Sequence, residues 1–320
     1  MNDDTPSGAL PDAELTVIIV SYCTRELTLK AIETLYATTH DVTFHTVVFD
    51  NASDDGSAEA IRAAFPQVEV IASPENLGFA KANNLVAAKA TTDWLLLLNP
   101  DTECHAGAVD NLMAFSKAHS QAGITGGRTV FRDGSLNIAS CWMRITPWSA
   151  FCSATGLSSV FPKSAFFNPE AMGGWQRDTV REVDIVVGCF MMVPRKLWDK
   201  LGGFNLRYFM YGEEADLCLR AKALGYQPMV TPDAQIMHLV GASSKAQPRK
   251  YSMIAKARMT LIRDHWPPAH VPFGRVMIAV WAGSRALVLG LVARTTGKKK
   301  DAAAKWAAIW QDREDWLKGY

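Results

Sequence analysis

Apolar residues fall in short continuous runs along the first part of the chain, with amphipathic stretches between them. Residues 15–21, 44–49, 68–72 and 94–98 read as strands, and 27–37, 58–64 and 79–89 as the helices that alternate with them. Runs of Val, Ile and Leu without polar alternation belong to strands covered on both faces. This βαβαβαβ rhythm predicts an α/β fold, a mostly parallel sheet flanked by helices. Ligands of such sheets bind beyond the carboxyl ends of the strands. The polar segments at those ends are Ser21-Tyr22, Asp50-Asn51, Glu75-Asn76 and Asn99-Pro100-Asp101, which the pattern aligns along one rim.

Periodicity weakens after Ile124. Residues 132–181 are rich in Trp, Phe, Ser, Gly and Pro and read as a long functional loop. An apolar strand follows at 183–193, then helices at 195–201 and 213–224, and short strands at 228–231 and 235–239. Residues 276–293 are apolar except for Ser284 and Arg285 and are bounded by Arg275 and Arg294. On a helix, at about 100° per residue, Arg275, Ala279, Gly283, Ala286, Gly290 and Arg294 share one face, opposite Met277, Val280, Trp281, Leu287, Val288 and Leu291. The stretch is short for a span and carries an internal arginine, so it predicts a helix lying in a membrane interface. Lys298-Lys299-Lys300 suit anionic headgroups, and Trp306, Trp310 and Trp316 an interfacial belt. A helix packed on the catalytic domain, or an oligomer contact, is the competing reading. The polar segment 1–13 reads as a disordered lead-in without a signal-peptide core.

The net charge of +1 gives no electrostatic reason to expect nucleic acid as a partner. The six cysteines show no CxxC or metal-knuckle spacing, which points to buried thiols in a reducing cytosol. No Walker loop occurs, and no GxGxxG follows the first strand, which counts against ATP and NAD sites.

The chemistry concentrates in four places. Tyr211 to Arg220 holds Glu213, Glu214 and Asp216 directly after an aromatic run. Acids favour a first helical turn, but enclosure by aromatics also suits a carboxylate tuned as a base. Asp50 to Ser57 ends a strand with more polar groups than a helix cap by Ser53 or Asp54 needs, so Asp50 is placed to read a base or ribose. Asn76 to Asn84 opens a helix with Gly78 for close approach and Lys81 for phosphate. Asn99-Pro100-Asp101 presents a carboxylate after four leucines, where a hard divalent cation would bridge diphosphate oxygens. His238 is a further candidate ligand, followed by a Gly and Ser segment at 241–244 suited to phosphate. The oxygen-rich donor set implies Mg²⁺ or Mn²⁺.

In this order the segments 17–22, 50–57, 76–80, 99–101 and 212–220 resemble the family 2 inverting glycosyltransferases of GT-A fold, in the rhamnosyltransferase-like branch that builds bacterial surface polysaccharides. The resemblance spans roughly 15–244. It implies a catalytic domain at 14–250, with a nucleotide-binding half at 14–120 and an acceptor and catalytic half at 121–250; the helical extension at 251–320 lies outside the resemblance, and its membrane-associating reading rests on the pattern of 276–293 alone. The resemblance also implies that Asp50 binds the nucleobase, with Ser21, Tyr22 and Ser53 beside it, and that Asn76, Lys81 and Asn99 complete the donor site. Asp101 becomes the metal carboxylate, with His238 as a second ligand, although Asn99 stands where the family's DxD-like motif has its first acid. Glu214 occupies the position of the family's usual catalytic aspartate, with Glu213 and Asp216 as fallback bases. The implied reaction moves a sugar, dTDP-rhamnose first, to a hydroxyl of a glycan or lipid-linked acceptor at the cytoplasmic face of the plasma membrane. A UDP-hexose or galactofuranose transferase, or an inactive scaffold subunit, is the alternative. A nucleotidyltransferase fits poorly, because Ser21-Tyr22-Cys23-Thr24-Arg25 lacks the glycines of a triphosphate loop.

Overall fold

A computed structural model of the chain describes residues 13–239 and 247–320. The lead-in assigned to 1–13 lies almost wholly outside these, as does the 241–244 segment beside His238. Its elements run β1 Leu15–Ser21, α1 Arg25–Thr38, β2 Phe44–Asp50, α2 Ser57–Ala64, β3 Glu69–Ala72, α3 Gly78–Ala87, β4 Trp94–Leu98, β5 Thr102–Cys104, α4 Ala108–Ala118 and β6 Thr125–Val130. Then come β7 Leu136–Asn137, β8 Cys141–Trp142, α5 Pro147–Thr155, α6 Leu157–Val160, β9 Arg181–Glu182, β10 Ile185–Val186, β11 Phe190–Pro194, α7 Arg195–Leu201, α8 Glu213–Ala223 and β12 Met229–His238. Four helices close the chain: α9 Gln247–His265, α10 Val271–Thr296, α11 Lys300–Gln311 and α12 Arg313–Trp316.

The main sheet has the order β3-β2-β1-β4-β11-β6-β12-β5. Its first four strands are parallel in register, Ser21 beside Asp50 and Asp50 beside Ala72, so their carboxyl ends share one rim. β11 enters antiparallel to both β4 and β6, while β12 runs parallel to β6. The continuous apolar strands are explained by the two cores. Ile18, Leu95 and Leu97 serve one face with α3, α7 and α8, and Val17, Ile19, Leu96 and Leu98 serve the other with α1 and α4. Alternate residues of a strand point to opposite faces, and here each face is covered, so neither can be polar. Each such leucine removed from water contributes about 2 kcal/mol.

Three expectations need correction. Residues 183–193 are not one strand. β10 pairs with β8 in a separate ribbon, and β11 belongs to the main sheet. Gly188 lies in the break, with the Phe79 ring 3.3 Å from where its Cβ would stand. The two short strands at 228–231 and 235–239 are a single strand whose register slips between Thr231 and Gln235. The long loop at 132–181 contains α5, whose start is fixed by a reciprocal cap: Ser149 N donates to Thr146 Oγ1 (3.1 Å) and Thr146 N to Ser149 Oγ (2.8 Å).

The closing helices form a third core with α5. Ile145, Ala150, Met259, Ile262, Ile278, Ala282, Trp306, Ile309 and Trp316 are buried together. Trp316 is fully buried and its indole donates to Ile309 O (2.8 Å), so the expected interfacial belt of tryptophans is instead an interior. The two faces expected for α10 also shift. Gly274, Ile278 and Ala282 face the protein, and Gly283 sits under the Trp310 ring. Val276, Val280, Leu287, Val288 and Leu291 stay exposed.

Candidate active site

The loops at the rim are tied to one another by polar side chains. Asn51 bridges β2 to the start of α3, donating to Asn76 Oδ1 (3.0 Å) and accepting from Leu77 N (2.7 Å). Asn76 Oδ1 also accepts from Gly78 N (3.0 Å). Gly78 has φ +77°, and a Cβ there would stand 2.8 Å from Phe209 O, so glycine alone lets the α3 loop meet the 204–211 loop. Ser53 Oγ accepts from Cys23 N (2.8 Å), joining the ends of β1 and β2. Asp55 caps both neighbours, accepting from Arg25 N (3.0 Å) and Ser57 N (3.1 Å). Burial raises its pKa, but the Ser57 and Arg25 hydrogen bonds outweigh that and hold it below the ordinary range.

Within this frame Asp50 is buried, and its Oδ1 has no hydrogen-bond partner within the protein. An orphaned carboxylate oxygen is costly, and a ligand N–H or hydroxyl would relieve it. Tyr22, half exposed, follows Ser21, the residue of β1 that pairs with Asp50. Lys81 is exposed on the first turn of α3. Ser21 does not face the rim. It is fully buried, with its hydroxyl against Thr28 Oγ1 (2.9 Å) and Thr24 Oγ1 (3.1 Å), where it holds α1 to β1.

On the far side of the rim, Asn99 N donates to Cys189 O (3.1 Å), and Asp101 is buried against β12. Asp101 Oδ1 stands 3.3 Å from His238 Nε2, and His238 Nδ1 is buried without a partner. Burial opposes charge on His238, but Cys189 and Asp101 prevail and push its pKa up to about 10. Among the described residues no group of three or more His, Cys, Asp and Glu side chains gathers as a metal cage. The Asp101 carboxylate is the oxygen donor that would hold a hard cation such as Mg²⁺, which is usually bound through one or two carboxylates together with substrate phosphates.

The carboxylates of α8 separate into three environments. Gly212 takes φ +92°, and a Cβ there would lie 2.9 Å from the Tyr208 ring, so the tight entry to the helix depends on glycine. Glu213 is buried with Oε2 unpartnered; burial and the neighbouring Glu214 carboxylate push its pKa well above the ordinary value. Glu214 is partly exposed and lines a cavity of about 410 Å³, together with Trp142, Ile145, Ile185, Tyr211 and Arg258. Its pKa is raised, chiefly by burial. Asp216 points elsewhere: it binds Arg220 Nε (2.8 Å) and His265 Nε2 (3.0 Å), and Arg220 goes on to Leu201 O (2.6 Å) and Gly203 O (2.8 Å). Burial raises its pKa, but His265 and Arg220 together lower it below the usual carboxylate range. Asp216 therefore fastens α8 to α9 and to the α7–α8 loop.

The same cavity contains a pair that nothing in the sequence singled out. Arg258 of α9 makes two hydrogen bonds to Glu170 (2.7 and 2.9 Å) across 88 positions of chain. From the tail, Tyr320 Oη donates to Met210 O (3.3 Å), and its ring meets Tyr208 edge-on at 5.5 Å. Asp50, Asn99, Asp101 and His238 are not in the lining of this cavity; the contact of Gly78 with Phe209 brings the α3 loop, which Asn51 ties to β2, against the loop that leads to Tyr211 and Gly212 of the lining.

The family model "Glycosyl transferase family 2" matches residues 16–199, more than half of the chain. The chain belongs to glycosyltransferase family 2. The family 2 chain is 26% identical over 216 residues to the N-acetylglucosaminyl-diphospho-decaprenol L-rhamnosyltransferase of Mycobacterium tuberculosis (strain ATCC 25618 / H37Rv), covering 63% of this chain and 68% of that one. It is 28% identical to rhamnosyltransferase WbbL of Escherichia coli (strain K12), covering 69% and 82%. Among solved structures it resembles the mannosyltransferase PcManGT from Pyrobaculum calidifontis in complex with GDP-Man and Mn²⁺, with a TM-score of 0.57 at 19% identity over 99% of this chain and 86% of that one. At that identity the likeness concerns the fold: a mostly parallel sheet between helices, with helices continuing at the C-terminal end. The protein is a rhamnosyltransferase-like glycosyltransferase.

Proposed function

We propose that this glycosyltransferase moves a sugar, rhamnose first, from a nucleoside diphosphate to a hydroxyl of a glycan or lipid-linked acceptor, with inversion at the anomeric carbon. The observation that carries the reading is Glu214, a carboxylate of raised pKa on the wall of a cavity of about 410 Å³. A base works best when its pKa approaches the working pH. The buried orphan oxygen of Asp50 accepts from the nucleobase or ribose, with Tyr22 and Ser53 beside it. Asn76 holds the Gly78 turn, and Lys81 meets the diphosphate.

Asp101, with His238 and the Asn99 amide, is the place for Mg²⁺ or Mn²⁺, which when bound neutralises the departing diphosphate. Glu214 accepts the proton of the acceptor hydroxyl. The freed oxygen bonds to the anomeric carbon as the bond to the diphosphate oxygen breaks on the opposite side, through an oxocarbenium-like transition state. Burial keeps Glu214 basic, and the Glu214 carboxylate in turn pushes the buried, unpartnered Glu213 up. The rhamnosyltransferase relatives support the donor, and the diphospho-decaprenol named for the M. tuberculosis relative supports a lipid-linked acceptor of surface polysaccharide synthesis. The exposed apolar face of α10 supports a peripheral contact of 275–320 with the cytoplasmic face of the membrane.

Calorimetric titration of dTDP, UDP and GDP, with and without Mn²⁺, into wild type and Asp101→Ala tests the reading. Metal-dependent binding of one nucleotide, lost in the variant, is expected. No binding of any nucleotide in either condition would leave a scaffold subunit as the better description.

A further inference from the structure

We propose that residues 157–167 and the outer face of α10 form one continuous surface that seats on an anionic lipid bilayer. This surface rests on the bilayer contact proposed above for 275–320 and extends it to a segment near the acceptor cavity.

Two sets of exposed apolar side chains define it. Val160, Phe161 and Phe166 are 68%, 46% and 63% exposed. They are fixed in place by ring contacts rather than left loose: Phe161 on Phe167 (5.0 Å), Phe166 on Trp148 (4.9 Å), and Trp148 on Phe151 of α5 (5.6 Å). On α10, Val276, Val280, Leu287, Val288 and Leu291 are between 39% and 65% exposed. At about 100° per residue these five fall within about 120° of the helix surface, opposite the buried Gly274, Ile278 and Ala282. The two sets are neighbours. α5 packs along α10, with Arg285 donating to Ser153 O (3.1 Å), and α6 begins four residues after Ser153.

Charge selects the occupant. Residues 265–300 contain Arg275, Arg285, Arg294, Lys298, Lys299 and Lys300 and no Asp or Glu, and residues 141–169 contain Arg144 and Lys163 and no acid. A second protein surface would ordinarily meet cations with carboxylates of its own, whereas an apolar stripe edged only by cations complements anionic lipid. The inner face of α10 is occupied by α9 and α11, so the helix lies in the interface, at a depth of about 5–10 Å, rather than crossing. Ser149 and Ser153 of α5 and Ser158 of α6 line the cavity that holds Glu214, which puts the acceptor site within one helix of the lipid.

Cys23 is the exposed cysteine among the described residues. In a full-length Cys23→Ser background, Phe161→Cys and Leu287→Cys are each labelled with an environment-sensitive dye and mixed with phosphatidylglycerol/phosphatidylcholine vesicles. Both dyes are expected to shift to the blue, and pure phosphatidylcholine should produce little shift. Replacing Val160, Phe161 and Phe166 by Ser, or Lys298, Lys299 and Lys300 by Gln, should weaken vesicle binding at least tenfold. A shift at 287 without one at 161 would overturn the joint surface while leaving the α10 contact standing. A concentration-dependent shift at both sites without vesicles would identify a second copy of the chain as the occupant and overturn the proposal. Neither readout needs sugar transfer, so failure of the proposed reaction registers separately.

Discussion

Replacing Asp216 separates a fastening role from a catalytic one. Its side chain is 3% exposed, with partners at 2.8 Å and 3.0 Å. Breaking a buried pair typically costs about 3–5 kcal/mol, because the surviving charge is left without compensation. Here the penalty is softened. Arg220 keeps its bonds to Leu201 O and Gly203 O, and its side chain is 27% exposed, so water reaches it. We therefore expect Asp216→Ala to cost about 3 kcal/mol, at the low end of that range, and Asp216→Asn about 2 kcal/mol. At the roughly 2 °C per kcal/mol of a large domain, the melting temperature falls by about 6 °C and 4 °C. The folded-state pKa of Asp216 is depressed, so its contribution is complete above the unfolded value of about 3.9 and is lost as pH falls through the folded one. The deficit of Asp216→Asn should thus be flat from pH 6 to 8 and shrink below about pH 4. Scanning fluorimetry across pH measures this, and transfer assays below the melting range should show turnover per folded molecule largely kept. An Asp216→Asn protein with wild-type melting and no turnover would refute the assignment and make Asp216 the base.

The other carboxylates of α8 should behave differently. Glu214→Gln is expected to lower kcat about 10²- to 10⁴-fold, the usual worth of a general base, with donor affinity and melting temperature nearly unchanged; retained turnover moves the role to Glu213. Glu213 has a folded-state pKa above its unfolded value, so wild type loses stability as pH rises between the two, and Glu213→Gln does not. The melting advantage of Glu213→Gln should therefore grow from pH 5 to pH 8, and an unchanged pH profile would mean the carboxylate is not destabilising. Gly78→Ala forces a left-handed alanine, costing about 1–2 kcal/mol, and drives Phe209 O away from a 2.8 Å clash. Urea unfolding should register that loss and kcat should drop with it, while wild-type values for both would show that the two loops move independently.

The centre of the parallel half was readable because β1 and β4 are buried on both faces, leaving almost no polar interruption to confuse their length. The same uniformity hid the break at Gly188, since 185–187 and 189–193 are apolar on either side of it and only pairing partners decide where a strand ends. α5 was missed because its helical face is built from Ala, Cys and Ser, and its apolar partners, Ile278 and Ala282, come from far along the chain. The rim acids announced themselves by position, yet Ser21 turned inward because Thr24, just before α1, and Thr28, on it, compete for its hydroxyl. Glu170 and Arg258 left no local sign at all: an ion pair across 88 positions has no periodicity. The tryptophans of the tail misled for a related reason, since an indole reads alike in a membrane belt and in a core until the facing helix is known.

The hydrogen bond from Tyr320 to Met210 O, and the ring contact with Tyr208, reach back 110 positions to the loop that leads into Glu213 and Glu214. A loop held in this way does not fray by itself, because opening it means lifting Tyr208 and Tyr320 out of the cluster they form with Ala257 and Leu261 of α9. The 208–212 loop and the closing helices are then one cooperative unit of unfolding, and amide protons at 208–213 exchange only when that unit opens. Any event that loosens the tail, such as a nick between α10 and α11, reaches Glu213 and Glu214 through this unit and leaves the rim of β1 and β2 intact.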